Sequence, residues 1–392
     1  MPLIQFIEDR APELRAVFQD LHANPQLGFE ETHAAAVVEK LLKDWGFDEV
    51  HTGIAATGVV GILHGKGQGN RRIGLRADMD ALPIQEVTGL PYASKNADRM
   101  HACGHDGHTT MLLGAAQYLA ATRDFDGTAV FIFQPAEEGL GGARRMIAEG
   151  LFERFPVDEV YGMHNTPLSQ LGRARIRKGP MMAGAAFFDI TIRGRGSHAA
   201  QPHRSRDALV IGADLVGQLQ TIVSRNVDPV KPCVLSCTRF NTGSAYNIVP
   251  ETAAIAGTVR YFDPEVMALV DTRMRELCAG LAVAHGIEID VDIRNVFDVL
   301  VNDPDLADAY VAAAADILGS ENVNDEGPLV MGSEDFADMS AMVPGAYINV
   351  MHGGRAALHN PAFVLEPGVL PIGASIYARI IERRMPLLKE AA

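Results

Sequence analysis

Residues 100–108 read Met-His-Ala-Cys-Gly-His-Asp-Gly-His, a stretch that contains three histidines, one cysteine and one aspartate. Gly104 separates Cys103 from His105, and a tight turn at this glycine lets both side chains point toward one cation. A thiolate with an imidazole suits Zn²⁺ or another divalent transition ion, whereas carboxylate oxygens alone suit Mg²⁺ or Ca²⁺. The alternative is a buried free cysteine beside surface histidines, since two ligands do not complete a metal site.

On both sides of this stretch, strand and helix patterns alternate, and polar residues follow the strands. In chain order, these residues are Asp78 and Asp80, Cys103 and His105, Glu137 and Glu138, and His164. Taken alone, the aspartates suit a solvated Asx turn, and the glutamates suit the start of a helix, where they complement the dipole. Because open α/β sheets place their sites at the carboxyl ends of strands, the repetition instead predicts one shared rim.

The length of 392 residues favours more than one domain, because single cores stop growing at about 250–300 residues. After residue 182 the strands become half-polar and alternate with two helical patterns, which indicates a small α+β domain with an antiparallel sheet. Patterns typical of the first part return from residue 298. We therefore predict an α/β fold in which residues 1–182 and 298–392 form one domain, with a mixed central sheet flanked by helices. A satellite domain at residues 183–297 interrupts it.

Composition excludes several classes of protein. The net charge is −15 and no Lys/Arg block forms a phosphate-binding stripe, so we expect no nucleic-acid partner. Acidic residues in the first ten positions argue against a signal peptide, and the sequence contains no apolar run of about 18 residues that would span a membrane. The cysteines match no disulfide framework, which predicts a cytoplasmic protein; they are Cys103, Cys233, Cys237 and Cys278.

Two neighbouring divalent ions need a bridging anionic ligand and about two or three further ligands each. The candidate ligands are Cys103, His105, Glu138, His164 and His359. Such ions lower the pKa of a water between them, and Glu137 would be free to take its proton. Neighbouring residues on an extended segment point to opposite sides, so a bend at Pro135-Ala136 is needed to direct Glu137 and Glu138 correctly.

Seven motifs are spread over nearly the whole chain: Arg-Ala-Asp-Met-Asp-Ala-Leu-Pro (76–83), His-Ala-Cys-Gly-His-Asp (101–106), Gln-Pro-Ala-Glu-Glu-Gly (134–139), Met-His-Asn (163–165), Gly-Ser-His-Ala-Ala (196–200), Gly-Ser-Glu-Asp-Phe (332–336) and Leu-His-Asn-Pro (358–361). In this order they resemble the amidohydrolase branch of the aminoacylase and carboxypeptidase G metallopeptidases. Hippurate hydrolases and auxin-conjugate amidohydrolases belong to that branch.

The resemblance implies a catalytic domain split by the satellite domain, with two metal ions on the five candidate ligands and Glu137 as general acid/base. Relatives in the wider family have aspartate at Cys103 and histidine at Asp78. This exchange moves a ligand to His105 and leaves Asp78 and Asp80 to orient the ligand imidazoles.

The resemblance also assigns roles within the satellite domain. His198, in similar enzymes often supplied by a partner subunit, would stabilise the oxyanion, and Asn247 and Arg260 would hold the substrate carboxylate. The alternatives are a turn histidine and an arginine on a solvated strand face. The sequence suggests no role for four other histidines, which are His101, His108, His203 and His352.

The hypothesis that follows is hydrolysis of a small-molecule N-acyl amino acid, with two divalent ions that could be Zn²⁺, Mn²⁺, Co²⁺ or Ni²⁺. The resemblance also implies a homodimer or homotetramer formed through the satellite domain. One alternative is a dipeptidase or N-acetyl-diaminopimelate-type deacetylase on the same scaffold. A third possibility is a metal-binding protein without catalytic activity.

Overall fold

A computed structural model describes residues 2–387 of the chain. The chain divides into two compact units. The larger unit contains the chain up to Met181, the segment Val301–Pro328 and the chain from Asp335 onward, and the smaller unit contains Met182–Leu300 and Leu329–Glu334. None of the helices formed by the described residues is long and apolar enough to cross a bilayer.

Helices make up much of the larger unit. Within residues 2–387 the α-helices are α1 (Gln5–Asp9), α2 (Ala11–Ala23), α3 (Thr32–Asp44), α4 (His105–Thr122), α5 (Gly142–Ala148), α6 (Leu151–Arg154), α7 (Ala208–Arg225), α8 (Pro264–His285), α9 (Pro304–Leu318), α10 (Phe336–Met342) and α11 (Leu370–Arg384). Of these, α7 and α8 belong to the smaller unit.

The strands follow the same order along the chain. Within the described residues they are β1 (Glu49–Ile54), β2 (Gly58–His64), β3 (Arg72–Asp78), β4 (Thr128–Gln134), β5 (Glu159–Thr166), β6 (Ala174–Arg175), β7 (Gly179–Met182), β8 (Gly184–Arg193), β9 (Ser197–His198), β10 (Cys233–Thr242), β11 (Ile248–Val249), β12 (Thr252–Tyr261), β13 (Glu288–Phe297), β14 (Leu300–Asn302), β15 (Val323–Asn324) and β16 (Gly345–Met351).

The large sheet has the strand order β1-β2-β4-β3-β5-β16-β6-β15 among the described residues. Its central strands β4, β3, β5 and β16 are parallel, whereas β2 runs antiparallel to β4. The chain passes from β3 to β4 on one side and then to β5 on the other, so the strand order reverses beside β3. Open α/β sheets bind ligands at such a point, outside the carboxyl ends of the strands.

The central strands have uninterrupted apolar sequences because they lie in the core of the larger unit. Every residue of β4 is buried, as expected for a parallel strand covered on both faces. Helices α4 and α11 pack closely, and a Cβ atom at Gly373 would lie only 1.9 Å from the Met111 Sδ atom. The small residue at this position therefore allows the two helices to approach each other.

Helix boundaries differ from the sequence prediction at two places. The apolar pattern predicts a single helix over residues 3–22, but α1 ends at Asp9 and α2 begins at Ala11. Pro12, at the start of α2, lacks an N–H and its ring would clash with the carbonyl one turn earlier, so the helix breaks. The second difference concerns α4: an apolar stripe predicts a helix over residues 109–122, but the helix begins four residues earlier, at His105.

The smaller unit has a four-stranded antiparallel sheet of order β10-β12-β8-β13 in the described residues. Buried and less buried residues alternate along β12, which is the pattern of a sheet with one face on the core. The core lies between this sheet and the apolar faces of α7 and α8. The predicted α/β class, with a mixed central sheet and a smaller antiparallel sheet, is confirmed.

Candidate active site

The candidate ligands of the larger unit lie at the carboxyl ends of the central strands. Glu137 and Glu138 follow β4, and His164 lies near the end of β5. Cys103 precedes α4, whose first residue is His105, and His359 belongs to the segment after β16. The fold therefore brings together side chains that are separated by as many as 256 positions, from Cys103 to His359.

Two groups of potential ligand atoms share the thiol of Cys103. In the first group, one atom each of Cys103, His105 and His164 lies within 4.8 Å of the others, and the Cys103 Sγ–His164 Nε2 distance is 3.4 Å. The second group joins Cys103 to Glu138 and His359, with 3.3 Å between His359 Nε2 and Glu138 Oε1. A shared sulfur with further donors on either side suits a pair of cations.

Two atoms of this cluster test whether it fits a metal. His105 Nε2 and Glu138 Oε1 are buried and, among the described residues, have no hydrogen-bond partner. They lie 3.9 Å apart, too far for a hydrogen bond and suitable for a cation between them. Because a buried polar atom without a partner is costly, and because sulfur, nitrogen and oxygen donors converge, the residues fit divalent transition ions.

The ligand imidazoles are oriented by acceptors on their other nitrogen. His105 Nδ1 donates to Asp80 Oδ1 at 3.1 Å, which leaves Nε2 toward Glu138. His164 Nδ1 donates to the Asn165 carbonyl at 2.6 Å, which leaves Nε2 toward Cys103. A carboxylate or carbonyl behind an imidazole sets its tautomer and raises its basicity as a ligand.

Backbone conformation at two positions places ligands. Gly104 has φ 91°, and a Cβ there would lie 2.4 Å from Asn165 Nδ2, so only glycine fits the turn that separates Cys103 from His105. His359 has φ 62°, a left-handed conformation that costs a non-glycine residue about 1–2 kcal/mol. Its N–H donates to the Ala102 carbonyl at 2.8 Å, which ties the segment beside Cys103.

Surrounding charges favour the anionic forms of two candidate ligands, Cys103 and Glu138, at neutral pH. Burial alone would raise the pKa of Cys103, but His105 and His164 lower it to about 6. The pKa of Glu138 is lowered, against the effect of burial, by His359 and His105. The neighbouring Cys103 and Glu138 raise the pKa of His359 to about 10. The cluster thus holds a thiolate and a carboxylate, the two charged donors that a cation would bind.

Glu137 lies beside the cluster. It is 7% exposed, and one of its oxygens lies within 4.8 Å of ligand atoms of His105 and Glu138. The predicted bend occurs at Ala136, which has φ 56°. This left-handed residue reverses the alternation of an extended chain, so the two consecutive glutamates reach the same place.

His108, for which the sequence suggests no role, bonds to two residues that lie beside the candidate ligands, Asp78 and Asn165. Its Nδ1 donates to Asp78 Oδ1 at 2.6 Å, and its Nε2 accepts from the Asn165 N–H at 2.9 Å. His352 contacts Asn165 Oδ1 at 2.9 Å. A signal for His108 was present, because residues three apart on a helix share a face and His105 lies three positions earlier.

Arg76 is fully buried and links Asp78 to a distant carboxylate. Its guanidinium donates to Asp78 Oδ2 at 2.9 Å, Asp335 Oδ1 at 2.9 Å and Gln134 Oε1 at 2.8 Å. Arg76 and Asp78 are two apart on β3 and share a face, so the sequence contains a local signal for this pair. The contact with Asp335 spans 259 positions and has no local signal.

We expect Arg76→Met to lower the free energy of unfolding by about 3–5 kcal/mol, because it removes the guanidinium shared by two buried carboxylates. Urea denaturation of the two proteins measures the difference. Lys40→Met is the control, since Lys40 pairs with Asp44 at an exposed position and should contribute less than about 1 kcal/mol. Equal losses in the two variants would contradict this role of Arg76.

A second buried polar group lies near α4. His22 Nδ1 is 2.7 Å from Asp106 Oδ2, and its Nε2 is 3.4 Å from Glu86 Oε1. Burial alone would lower the pKa of His22, but the two carboxylates raise it from 6.5 to about 9. The folded state therefore holds this proton more tightly than the unfolded state does. The resulting stabilisation is complete below about pH 6.5 and is lost as the pH rises through 9.

We expect His22→Gln to destabilise the protein on the order of 2–3 kcal/mol at pH 6, and by much less at pH 10. Urea denaturation across this pH range measures the difference from the parent protein. His33→Gln is the control, since the His33–Asp20 pair is exposed. A difference for His22→Gln that stays constant from pH 6 to 10 would rule out this titration.

The remaining candidate residues belong to the smaller unit. His198 on β9 pairs with Ile248 on β11, and the Ala199 N–H donates to the Asn247 carbonyl at 3.0 Å, so His198 and Asn247 are neighbours. His198 is exposed, and its Nδ1 accepts from the Ala200 N–H at 3.1 Å. Arg260 lies on β12 of the four-stranded sheet, where it donates to Thr258 Oγ1.

A mixed sheet with sulfur, imidazole and carboxylate donors at a strand-order reversal, beside a further glutamate, is the arrangement of a metal-dependent hydrolase. Residues 74–383 match the model of peptidase family M20/M25/M40. The chain belongs to this family.

Individual relatives cover almost all of the chain. A hippurate hydrolase from Campylobacter jejuni is 43% identical over 380 residues, which are 97% of this chain and 98% of the relative. An IAA-amino acid hydrolase of Arabidopsis thaliana is 37% identical over 380 residues, covering 94% and 85% of the two chains. A solved structure of a dinuclear metal-binding M20 peptidase from Bacillus subtilis superimposes with a TM-score of 0.84 at 31% identity, covering 96% and 99%. The predicted family resemblance is therefore confirmed.

Proposed function

We propose that this protein is a metal-dependent amidohydrolase that cleaves the amide bond of N-acyl amino acids, releasing a carboxylic acid and a free amino acid. The observation that carries the proposal is the pair of donor groups sharing Cys103, with Glu137 beside them. The similarity to a hippurate hydrolase and an IAA-amino acid hydrolase supports the substrate class.

Five residues would hold two divalent ions, namely Cys103, His105, Glu138, His164 and His359. When bound, such ions lower the pKa of a water molecule and polarise the amide carbonyl. Zn²⁺ suits the thiolate, and Mn²⁺, Co²⁺ or Ni²⁺ suit the same mixed donor set. Asp80 would keep the Nε2 atom of His105 directed at the ions, through its bond to Nδ1.

Glu137 would then act as general base and general acid. Its carboxylate accepts a proton from the attacking water and delivers it to the nitrogen of the leaving amine. This role needs a carboxylate close to the ions that is not consumed as a ligand, and Glu138, on the next residue, supplies the ligand instead. Burial of Glu137 strengthens its electrostatic interaction with the reacting atoms.

We assign the smaller unit the supporting roles. His198 would stabilise the oxyanion of the tetrahedral species, and Asn247 and Arg260 would bind the substrate carboxylate. The satellite domain at residues 183–297 would act as lid and dimerisation domain, and the larger unit would form the catalytic domain. A homodimer or homotetramer would allow His198 to serve its own subunit or a partner.

A side-by-side assay tests the proposed substrate class. We expect hippurate and other N-acyl amino acids to exceed dipeptides and N-acetyl-diaminopimelate in kcat/KM by at least about tenfold, since pocket contacts of this kind discriminate by 10–200-fold. Protein stripped with a chelator and reloaded separately with Zn²⁺, Mn²⁺, Co²⁺ or Ni²⁺ identifies the supporting ion. A lead for dipeptides would move the protein to the alternative function, and metal binding without hydrolysis of any substrate would remove the proposal.

A further inference from the structure

Glu31 is a buried carboxylate that lies outside the proposed metal centre and contacts the chain next to Glu137. It is 1% exposed, and its Oε1 accepts a hydrogen bond from the Ala136 N–H at 2.8 Å. Its Oε2 accepts from the Thr57 hydroxyl at 2.5 Å. Burying a carboxylate is costly, so its two hydrogen bonds must offset a large desolvation penalty.

Helix capping does not account for this carboxylate. Glu31 immediately precedes α3, yet in the described part of the chain its side chain makes no capping bond to that helix. Both of its oxygens bond instead to residues far along the chain, at separations of 26 and 105 positions. The carboxylate therefore links the start of α3 to the turn after β4.

Two carboxylates bind the backbone of that turn, one on each side of Glu137. Ala136 is fully buried with φ 56°, a conformation that persists only where neighbouring groups impose it. Glu31 binds the N–H before Glu137, and Asp80 Oδ2 binds the Glu138 N–H at 3.0 Å, after it. Asp80 was already expected to orient a ligand, whereas nothing in the motifs pointed to Glu31.

We infer that Glu31 is a positioning residue for the reaction: its hydrogen bond to the Ala136 N–H holds the left-handed turn that directs the Glu137 carboxylate at the reacting water. This inference rests on the proposed role of Glu137. It follows because loss of the acceptor lets Ala136 relax toward ordinary φ values, which moves the next side chain. Displacements of about 1 Å at a catalytic group reduce rates about 10²-fold.

Two substitutions of Glu31, one that changes the charge and one that changes the length of the side chain, distinguish this role from a general electrostatic effect. Glu31→Gln keeps an oxygen at the same reach for the Ala136 N–H, and the Thr57 hydroxyl can rotate to accept from the new amide. Burial raises the pKa of Glu31, against the effect of its hydrogen bonds with Thr57 and Ala136. Glutamine has the same length as glutamate and so tests the hydrogen bond separately from the charge. Glu31→Asp keeps the charge but is one methylene shorter, so it no longer spans both partners.

The experiment compares kcat, KM and bound metal for Glu31→Gln and Glu31→Asp. We expect Glu31→Asp to lose kcat by about 10–100-fold, with KM within about threefold and metal content unchanged. Glu31→Gln should stay within about threefold of the parent protein. Glu30→Asp and Glu30→Gln are matched controls, because Glu30 is exposed and pairs with Arg99 at 2.7 Å. Both controls should behave as the parent protein.

Hydrogen–deuterium exchange provides a readout that does not depend on activity. The peptide covering residues 134–140 should exchange faster in Glu31→Asp than in Glu31→Gln or the Glu30 controls, because the Ala136 N–H loses its acceptor. Unchanged exchange and unchanged kcat in Glu31→Asp would overturn the inference. Metal loss in step with activity would also overturn it, as the effect would then act through Glu138.

The two proposals fail differently. If the parent protein hydrolyses N-acyl amino acids and Glu137→Gln does not, an active Glu31→Asp overturns the positioning role alone. If Glu137→Gln is itself active, the proposed role of Glu137 fails and the positioning role fails with it. A loss in Glu31→Gln as large as that in Glu31→Asp would assign the effect to charge and overturn the hydrogen-bond argument.

Discussion

Glu137→Gln is expected to lower kcat for an N-acyl amino acid by about 10³–10⁴-fold while the metal content stays that of the parent protein. Glutamine is nearly isosteric with glutamate and keeps the buried site filled, but it cannot accept a proton from water or pass one to the leaving amine. The loss should therefore appear in kcat, with a much smaller change in KM. Steady-state kinetics together with elemental analysis of the purified variant measure both quantities.

The control for this variant is Glu153→Gln, at an exposed position on α6, which should leave both kinetic constants unchanged. Retention of metal would show that Glu137 has a catalytic role and is not a metal ligand. This distinction matters because Glu138, the next residue, is itself a proposed ligand. A Glu137→Gln protein with near-normal turnover, or one that has lost its metal, would end the assignment of Glu137 as general base.

Cys103→Ala is expected to have the second large effect, because its thiol belongs to both donor groups. Its removal would take a donor atom from both groups and the thiolate charge from between three histidines. We expect metal content to fall well below that of the parent protein and kcat to fall by at least about 10³-fold, since the hydrolytic water depends on the ions. Elemental analysis and kinetics on the same preparations test this.

Cys278→Ala is the matched control. Cys278 is buried on α8 of the smaller unit, and burial raises the pKa of its thiol to about 11, as expected for a neutral core cysteine. This variant should keep its metal and its turnover. Full metal content in Cys103→Ala would show that the thiol is not a ligand, whereas loss of metal in both variants would point to a general folding defect.

Local sequence patterns predicted the elements that carry the candidate site. The apolar runs at residues 72–77 and 128–133 predict β3 and β4, and the polar residues that end or follow them predict the rim where Asp78 and Glu137 lie. The helix boundary at Pro12 was missed although the residue is a known helix breaker, because the apolar spacing on either side continues in phase. Periodicity therefore located elements better than it located their ends.

Side chains that support the site from a distance were missed. Arg76 bonds to Asp335 across 259 positions, and Glu31 bonds to the Ala136 N–H across 105. Neither pair has a spacing that marks it, since these contacts exist only once β3, β4, α3 and α10 have packed. His108 and Arg76 did have local signals, through shared faces of α4 and β3, but a shared face does not reveal which partner lies opposite.

The sequence by itself determined the types of donor available, their order along alternating strands and helices, and membership of a metallopeptidase family, because residue chemistry and periodicity are encoded in short windows. Only the tertiary structure decided which nitrogen of each imidazole faces the other donors, which buried atoms are without hydrogen bonds, and how Ala136 turns the chain so that two consecutive glutamates reach one place. These features depend on tertiary contacts, such as those of His105 with Asp80, 25 positions away, and of Ala136 with Glu31, 105 positions away, which are set by packing and not by any local pattern.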